Sequence, residues 1–523
     1  MIAQRDHRTS SRVRVTASAL LLALIAVPAA ARAQAKTTTT RDSATSVRRE
    51  PKPVRTFPPE LPTKWTPPPG RQIEHEIAGF AKVLCSALFI TGRTLKDAAA
   101  EDGFFISPLA SRRFATDTIV DRARQSVTIR MQDGTARTAR RFGDQGCVTL
   151  PKGDDSVHFT PHRVVSALPD GASVPWPMGD RVDAAPLPPE IDGAALAAAT
   201  DAAFAPDSAL TAAWVVLYKG RIIAERYRAG VDRNTRLPGW SMGKSVSATV
   251  LARLIQEKYV ALWDRAPIPE WQTPGDGRRD IRVGDIVRMS SGLRFLSSFD
   301  PNYDPKMGYP DHLYVYTGAI DGFKYAATRP QEWPPNTVGL YRNGDPLLVN
   351  YIIRRLVEGR GEDYFSSWQH HLFDKIGVRR MTMETDPWGN FLLMGLDFAP
   401  ARDFARIAQL YLQDGMWNGE RLLPEGWRDF TRTPAPAWPG KEYGGMWWLN
   451  RNHEFPVPED AFEMQGVGGQ TTLVIPTHDL VVVRMGHYKG GSVSDRSLAN
   501  ALRLLMKAIP QVRPAWQPPE RSR

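Results

Sequence analysis

The sequence predicts an α+β protein: an antiparallel sheet assembled from both ends of one long domain, with helices filling the middle. Three observations carry that expectation. Residues 212–218, Lys219-Gly220 and residues 221–227 read as strand, turn and strand. Much further on, residues 471–475, a Pro476-Thr477-His478-Asp479 turn and residues 480–485 read as a second hairpin. Between them, residues 246–256, 346–356 and 401–412 repeat apolar positions at helical spacing, and a last helical pattern lies near 495–507. At 523 residues and 42% hydrophobic composition there is room for two or three globular units.

Taken in order, the chain begins with Arg5, Arg8, Arg12 and Arg14 ahead of the apolar run 19–27, and Ala31 and Ala33 then offer an A-x-A cleavage site. That is the layout of a secretory signal peptide over residues 1–33. The apolar run is well short of the roughly 20 residues a spanning helix needs, so export to the periplasm or medium is expected, with no stable membrane span after cleavage. Residues 34–72, rich in Thr, Ser, Pro and Arg, cannot bury enough apolar surface to offset their ordering entropy, and read as a disordered tether. Residues 73–185 read as a small N-terminal accessory unit. Residues 78–85 there suit a helix, and 126–131 alternate as a strand before the Asp133-Gly134 turn signal. A Pro-rich stretch at 174–189 marks a boundary, and the domain with the two hairpins occupies 190–515.

The formal charge of +11 suggests nucleic acid only until it is located. Residues 1–33 hold five Arg against one Asp, residues 34–72 hold eight Lys or Arg against three acids, and only +2 remains from residue 73 onwards. The basic excess belongs to leader and tether, which argues against a nucleic-acid footprint on the folded part. Cys85 and Cys147 are the two cysteines. In an exported chain an even count favours a disulfide, with two buried free thiols as the alternative.

Chemistry concentrates at Gly239-Trp240-Ser241-Met242-Gly243-Lys244-Ser245, which can be parsed three ways. A phosphate loop needs four residues between its first glycine and Gly-Lys-Ser, and Gly239 leaves three. A G-x-S-x-G nucleophile elbow needs a buried strand before it and a histidine after it. His487 could serve, but residues 234–238 are polar and broken. An S-x-x-K needs only a helix, because residues three apart project from one side, and a buried lysine becomes neutral enough to take a serine's proton. Two further elements support it. Tyr341-Arg342-Asn343 lies at a helix entrance, where a phenol can pass protons and an amide can bind a substrate carbonyl. Gly466-Val467-Gly468-Gly469-Gln470 opens a strand, where glycine permits close backbone approach and an N–H can join that of Ser241 as an oxyanion hole.

In this order the three elements resemble the serine β-lactamases and penicillin-recognising enzymes. The likeness is closer to the branch that includes class C lactamases, carboxylesterases and 6-aminohexanoate-dimer hydrolases. It covers about 190 to 510, and Val283-Gly284-Asp285-Ile286-Val287-Arg288-Met289-Ser290-Ser291-Gly292-Leu293 resembles that group's segment between the first two motifs. The resemblance implies a β-lactamase/transpeptidase-like fold, an antiparallel sheet flanked by terminal helices with an inserted, mostly helical subdomain. It implies Ser241 as nucleophile, Lys244 as base, Tyr341 as proton relay and Asn343 as its amide partner. Gly466 and Val467 would supply the third motif and an oxyanion N–H, with Gly469 the donor in a register two residues later. Residues around Cys85 and Cys147 resemble an N-terminal extension of exported members, which implies their disulfide. Aligning Met464-Gln465-Gly466 with K-T-G leaves a methionine where lactamases keep a cation for the substrate carboxylate. Esters or linear amides are therefore the expected small-molecule substrates, with no cofactor. The remaining candidates are weaker: His158 and His162 are separated by Pro161 and lack further ligands for a zinc site, and His370-His371 face different ways. The aromatic stretch Tyr303, Tyr309, Tyr314, Tyr316, Phe323 and Tyr325 is either a pocket wall or a packed loop.

Overall fold

The computed structural model describes residues 57–518, so the expected signal peptide and the first part of the tether lie outside the described residues. Its centre is a six-stranded antiparallel sheet in the order Trp448–Leu449, Phe462–Gly466, Gln470–Ile475, Leu480–Gly486, Thr211–Tyr218, Arg221–Tyr227. The two ends of the domain meet where Val482 faces Val216 and Val483 faces Val215. Every residue of Thr211–Tyr218 and of Leu480–Gly486 is buried. Covered on both faces, these strands read as continuous apolar runs instead of alternating ones.

On one face the helices Gly193–Phe204 and Val493–Ala508 pack together, burying Leu196, Leu498 and Leu502 with Trp214 and Val216 of the sheet. Each large apolar side chain so buried contributes about 1.5–3 kcal/mol. On the other face lie the helices Ala401–Leu412 and Met242–Gln256. The helix expected at 346–356 runs Gly344–Glu358, with Pro346 in its first turn, where a missing N–H costs nothing. The sheet, its terminal helices and the helical insertion together make the β-lactamase/transpeptidase-like fold.

In the accessory unit the helix Gln72–Ser86 packs on an antiparallel meander of Ala115–Asp121, Ser126–Met131, Ala136–Arg141 and Cys147–Thr149. Ile77, Phe80, Leu84, Val127 and Ile129 form its core. Cys85 and Cys147 are joined as a disulfide, Cα atoms 6.1 Å apart, tying the helix to the last strand. The unit is also tied to the larger domain. Buried Lys82 pairs with buried Glu384, and the Ser86 hydroxyl and Cys147 N–H donate to the same carboxylate.

Residues 57–71 correct the expected tether. Leu61 N–H donates to the Glu332 carbonyl at 2.8 Å, Thr63 Oγ1 to that of Gln331 at 2.6 Å, and Trp65 Nε1 to Asp311 Oδ2 at 2.6 Å. Composition averaged away the anchors, Phe57 against Trp333 and Trp65 against Asp311. Proline's fixed φ also lowers the entropy lost when such a segment is laid down extended. Among the described residues no helix is long and apolar enough to cross a membrane, and no group of three His, Cys, Asp or Glu is gathered as a metal ion would require.

Candidate active site

The site is built on a tight turn that delivers Ser241 to the head of the buried helix Met242–Gln256. Before it runs Leu237–Pro238, a two-residue strand paired antiparallel with Asp397–Ala399. Trp240 then sits at φ +51°, a left-handed conformation that costs a bulky residue of order 1–3 kcal/mol unless its surroundings hold it. They do. Gly239 N–H donates to the Asp397 carbonyl at 2.8 Å. A Cβ at Gly239 would lie 2.0 Å from Asp397 Oδ2, and one at Gly243 2.5 Å from Oδ1 and 2.4 Å from the Leu393 carbonyl. The glycines of G-x-S-x-G thus admit Asp397 and the backbone near Leu393. They do not form an elbow on a buried parallel strand, and His487 bonds Asp102 through Nδ1 at 2.9 Å.

Lys244 Nζ stands 2.9 Å from Ser241 Oγ and also donates to the Met394 carbonyl. Its side chain is buried, and burial drives its pKa well below the ordinary lysine value, against the opposing pull of Asp397. Asp397 is itself fully buried, and its pKa is driven well above the carboxylate range. Both groups are therefore pushed toward their neutral forms. Neutral Nζ can donate to Met394 and accept the Ser241 proton across the same 2.9 Å contact.

The Tyr341 ring lies beneath Lys244 Nζ, 4.8 Å from its centroid. The hydrogen bonds of the amine itself go to Ser241 and Met394. Burial raises the Tyr341 pKa above that of an ordinary tyrosine, while the neighbouring Ser241 and Trp448 side chains pull it down. The phenol is thus kept protonated beside the serine. At the same turn, Asn343 is 0% exposed and its Nδ2 donates to the His312 carbonyl at 2.7 Å, pinning the Tyr341 turn to the helix Asp311–Thr317. Ser291, in the segment between the motifs, adds a second pin by bonding Asp345 at the start of the next helix.

The third motif comes to the same place. A Cβ on Gly466 would lie 2.1 Å from the Gly239 carbonyl oxygen and 3.0 Å from Trp240 Cβ, so this strand end abuts the backbone just ahead of the nucleophile. One on Gly469 would instead meet Ser494 at 2.7 Å, pointing away. Among the described residues, no protein acceptor takes the N–H of Ser241 or of Val467. The turn Val467-Gly468-Gly469 is held from behind by buried Arg484, whose guanidinium donates to the carbonyls of Gly468 and Gly469 at 2.9 and 3.0 Å. Met464, in the cation's position, is buried in the main core.

Of the aromatic stretch, Tyr316 reaches the site, donating to the Met394 carbonyl at 3.2 Å. The others pack: Tyr309 and Tyr314 against His75, Tyr325 on Asp311, Phe323 on Tyr351. His158 stacks on Trp388, His162 lies 3.5 Å from Asp363, and His371 sits between Glu257 and Glu362. The motifs gave no sign of Asp397, the Met394 carbonyl, Trp448 or His312. A carbonyl acceptor leaves no trace in residue type, and the others lie far from Ser241 in sequence.

An antiparallel sheet closed by terminal helices, with a serine and a buried lysine at the head of the central helix, defines a serine hydrolase of the penicillin-recognising architecture. A family model described as "Beta-lactamase" matches residues 200–507, more than half of the chain, and the chain belongs to that family. It is 24% identical over 312 residues to a 6-aminohexanoate-dimer hydrolase of Paenarthrobacter ureafaciens, covering 53% of this chain and 73% of that protein. Among solved structures it is similar to EstCE1, a hydrolase with promiscuous acyltransferase activity, at 16% identity over 60% of this chain and 98% of that one (TM-score 0.48). A penicillin-binding protein homolog from Caulobacter crescentus matches at 16% identity over 61% and 99% of the two chains (TM-score 0.45).

Proposed function

We propose that the protein is an exported acyl-enzyme hydrolase of esters or linear amides. The observation that carries this reading is the Ser241–Lys244 contact at 2.9 Å with the lysine buried, joined to a methionine where the third motif would carry a cation. Neutral Lys244 takes the Ser241 proton as Oγ bonds to the substrate carbonyl carbon, and the N–H groups of Ser241 and Val467 hold the resulting oxyanion. As the tetrahedral intermediate collapses, the C–O or C–N bond breaks, and the proton passes from Lys244 by way of the Tyr341 phenol to the leaving group. Water then attacks the acyl-serine by the reverse route. Lactams that rely on a carboxylate anchor find no cation at Met464, whereas neutral esters and amides need none. The N-terminal layout of residues 1–33 and the Cys85–Cys147 disulfide support export to the periplasm or medium.

Parallel turnover of nitrocefin, p-nitrophenyl esters and linear anilides by the parent, S241A and K244A tests the reading. Ester or anilide turnover is expected to exceed that of nitrocefin, and to fall by about 10³-fold or more in either variant. Dominant nitrocefin turnover would make the protein a β-lactamase. Stable labelling of Ser241 without turnover would make it a penicillin-binding-like receptor. Activity that survives K244A but not substitution of His487 would restore the elbow reading.

A further inference from the structure

Two parts of the chain that no motif connects meet at the mouth of this site. Phe105, from the accessory unit, stacks on Phe299 with ring centroids 5.8 Å apart and planes within 6°. Phe105 also meets Trp240, the residue before the nucleophile, edge-on at 6.1 Å, and His312 at 5.9 Å. Phe299 in turn meets His312 at 5.3 Å and Tyr341 at 6.5 Å. Phe105 is half-buried, whereas Phe299 is 57% exposed. The pair is thus a partly open apolar surface against Trp240, the neighbour of Ser241 in the chain, and the Tyr341 ring. Singly exposed aromatics are unremarkable on a protein surface; a stacked pair on the two residues that flank a nucleophile is the kind of wall that apolar substrate groups bury.

The segment that carries Phe105 is fixed from several sides. Asp102 bonds His487 at 2.9 Å and pairs with Arg93 at 3.0 Å, and Tyr488 N–H donates to the Glu101 carbonyl at 2.7 Å. Gly103 and Gly79 have no room for a Cβ, which would come within 2.3 Å of Val83 Cγ2 and of the Ile106 carbonyl respectively. The ring therefore holds its place by the packing of the N-terminal unit. His312 in the wall is buried, and burial together with the Arg342 charge holds its imidazole toward the uncharged form.

We propose that the Phe105–Phe299 pair is the specificity wall of the substrate cleft, so that the N-terminal unit completes the site and selects uncharged substrates bearing a linear alkyl or aryl group beside the scissile carbonyl. This rests on the acyl-transfer reading above. The test is kcat/KM across p-nitrophenyl acetate, butyrate, hexanoate and benzoate for the full chain, F299A, F105L, F105A and F105A/F299A. F299A alters an exposed ring and F105L keeps most of the apolar volume, so neither depends on the fold tolerating a large cavity.

For F299A the hexanoate value is expected to fall about tenfold while acetate changes by less than about twofold, the scale of discrimination an apolar pocket gives to added methylenes. The double variant should lose no more than the worse single one, because the two rings act as one surface. A small fluorophosphonate should still label Ser241 in F299A, which reports that the nucleophile is intact. An unchanged hexanoate-to-acetate ratio in F299A and F105A, or equal losses on both esters, overturns the assignment. A parent that neither turns over esters nor labels at Ser241 fails the acyl-transfer reading itself, and this inference with it.

Discussion

Replacing Gly466 by alanine tests whether the third motif works by close approach. The added Cβ would stand 2.1 Å from the Gly239 carbonyl oxygen, and an ordinary carbon–oxygen contact is about 3.3 Å. Strand and turn must therefore separate by about 1.2 Å, and neither yields freely. Gly239 is held by its N–H bond to Asp397 at 2.8 Å, and Gly466 is paired with Gln470 in the hairpin. The displacement falls on the Val467 N–H and on the Trp240–Ser241 backbone, the two sides of the proposed oxyanion hole. A misplacement of about 1 Å in such a site costs about 10²-fold, or about 2.7 kcal/mol of transition-state stabilisation. The assay is kcat/KM on p-nitrophenyl acetate, normalised to Ser241 labelling, with a thermal melt alongside. The loss should appear in kcat. A G466A protein that melts like the parent and keeps its activity within about twofold refutes the close-approach reasoning.

Four further outcomes are expected. Because the base must be neutral and burial lowers the Lys244 pKa, activity should decline as pH falls through that lowered value, so the acid limb of kcat/KM lies well below the ordinary lysine range. K244R, whose guanidinium keeps its proton, should be inactive across the whole pH profile. Removing the Cys85–Cys147 bridge, which closes a sequence separation of 62, should cost about 4 kcal/mol in urea unfolding by loop entropy, and leave Ser241 labelling of the folded protein intact. Burial raises the Asp345 carboxyl to about 7 from 3.8, so between those values the native state holds a proton the unfolded chain has lost. Stability should then decline as pH rises through that window, and thermal melts from pH 4 to 8 should show a shallower decline in D345N.

The sheet was legible because its strands are either wholly buried or hairpin-paired, and both situations mark the sequence. Residues 212–218 are an unbroken apolar run and 480–485 one broken only by Arg484, and each is bounded by a turn. The helices at 246–256, 346–356 and 401–412 were legible from their apolar spacing; the first two start a few residues earlier than expected and the third has the expected bounds. What escaped was anything set by partners far apart in sequence. Residues 57–71 have the composition of a tether, yet a few anchors bind them to residues 331–333. Asn343 matched its motif by position, but nothing in that position told that its Nδ2 donates to the His312 carbonyl. Phe105 looked like part of a separate unit because sequence distance conceals that its ring lies against Trp240.

A second buried serine and lysine in the same chain show why neighbourhood on a helix does not by itself identify a nucleophile. Lys82 and Ser86 lie one turn apart on the helix Gln72–Ser86, both buried, and burial lowers the Lys82 pKa as it does that of Lys244. Burial on one helix is thus shared, although Lys82 precedes its serine by four residues where Lys244 follows its serine by three, and the partners differ. Lys82 meets the Glu384 carboxylate, which favours its charged form and opposes the shift, and the Ser86 hydroxyl donates into that same carboxylate. Its proton is committed, so the pair anchors one unit to another. Lys244 instead meets a hydroxyl and a neutral carbonyl, and Asp397, the carboxyl that acts on it, is itself driven toward its protonated form. With no full negative charge to hold a proton on Nζ, the amine is free to accept the one on Ser241. Glu384 and Met394 belong to one stretch of chain, which packs a carboxylate beside the first lysine and a bare carbonyl beside the second. That difference in partners separates the anchor from the proposed catalytic pair.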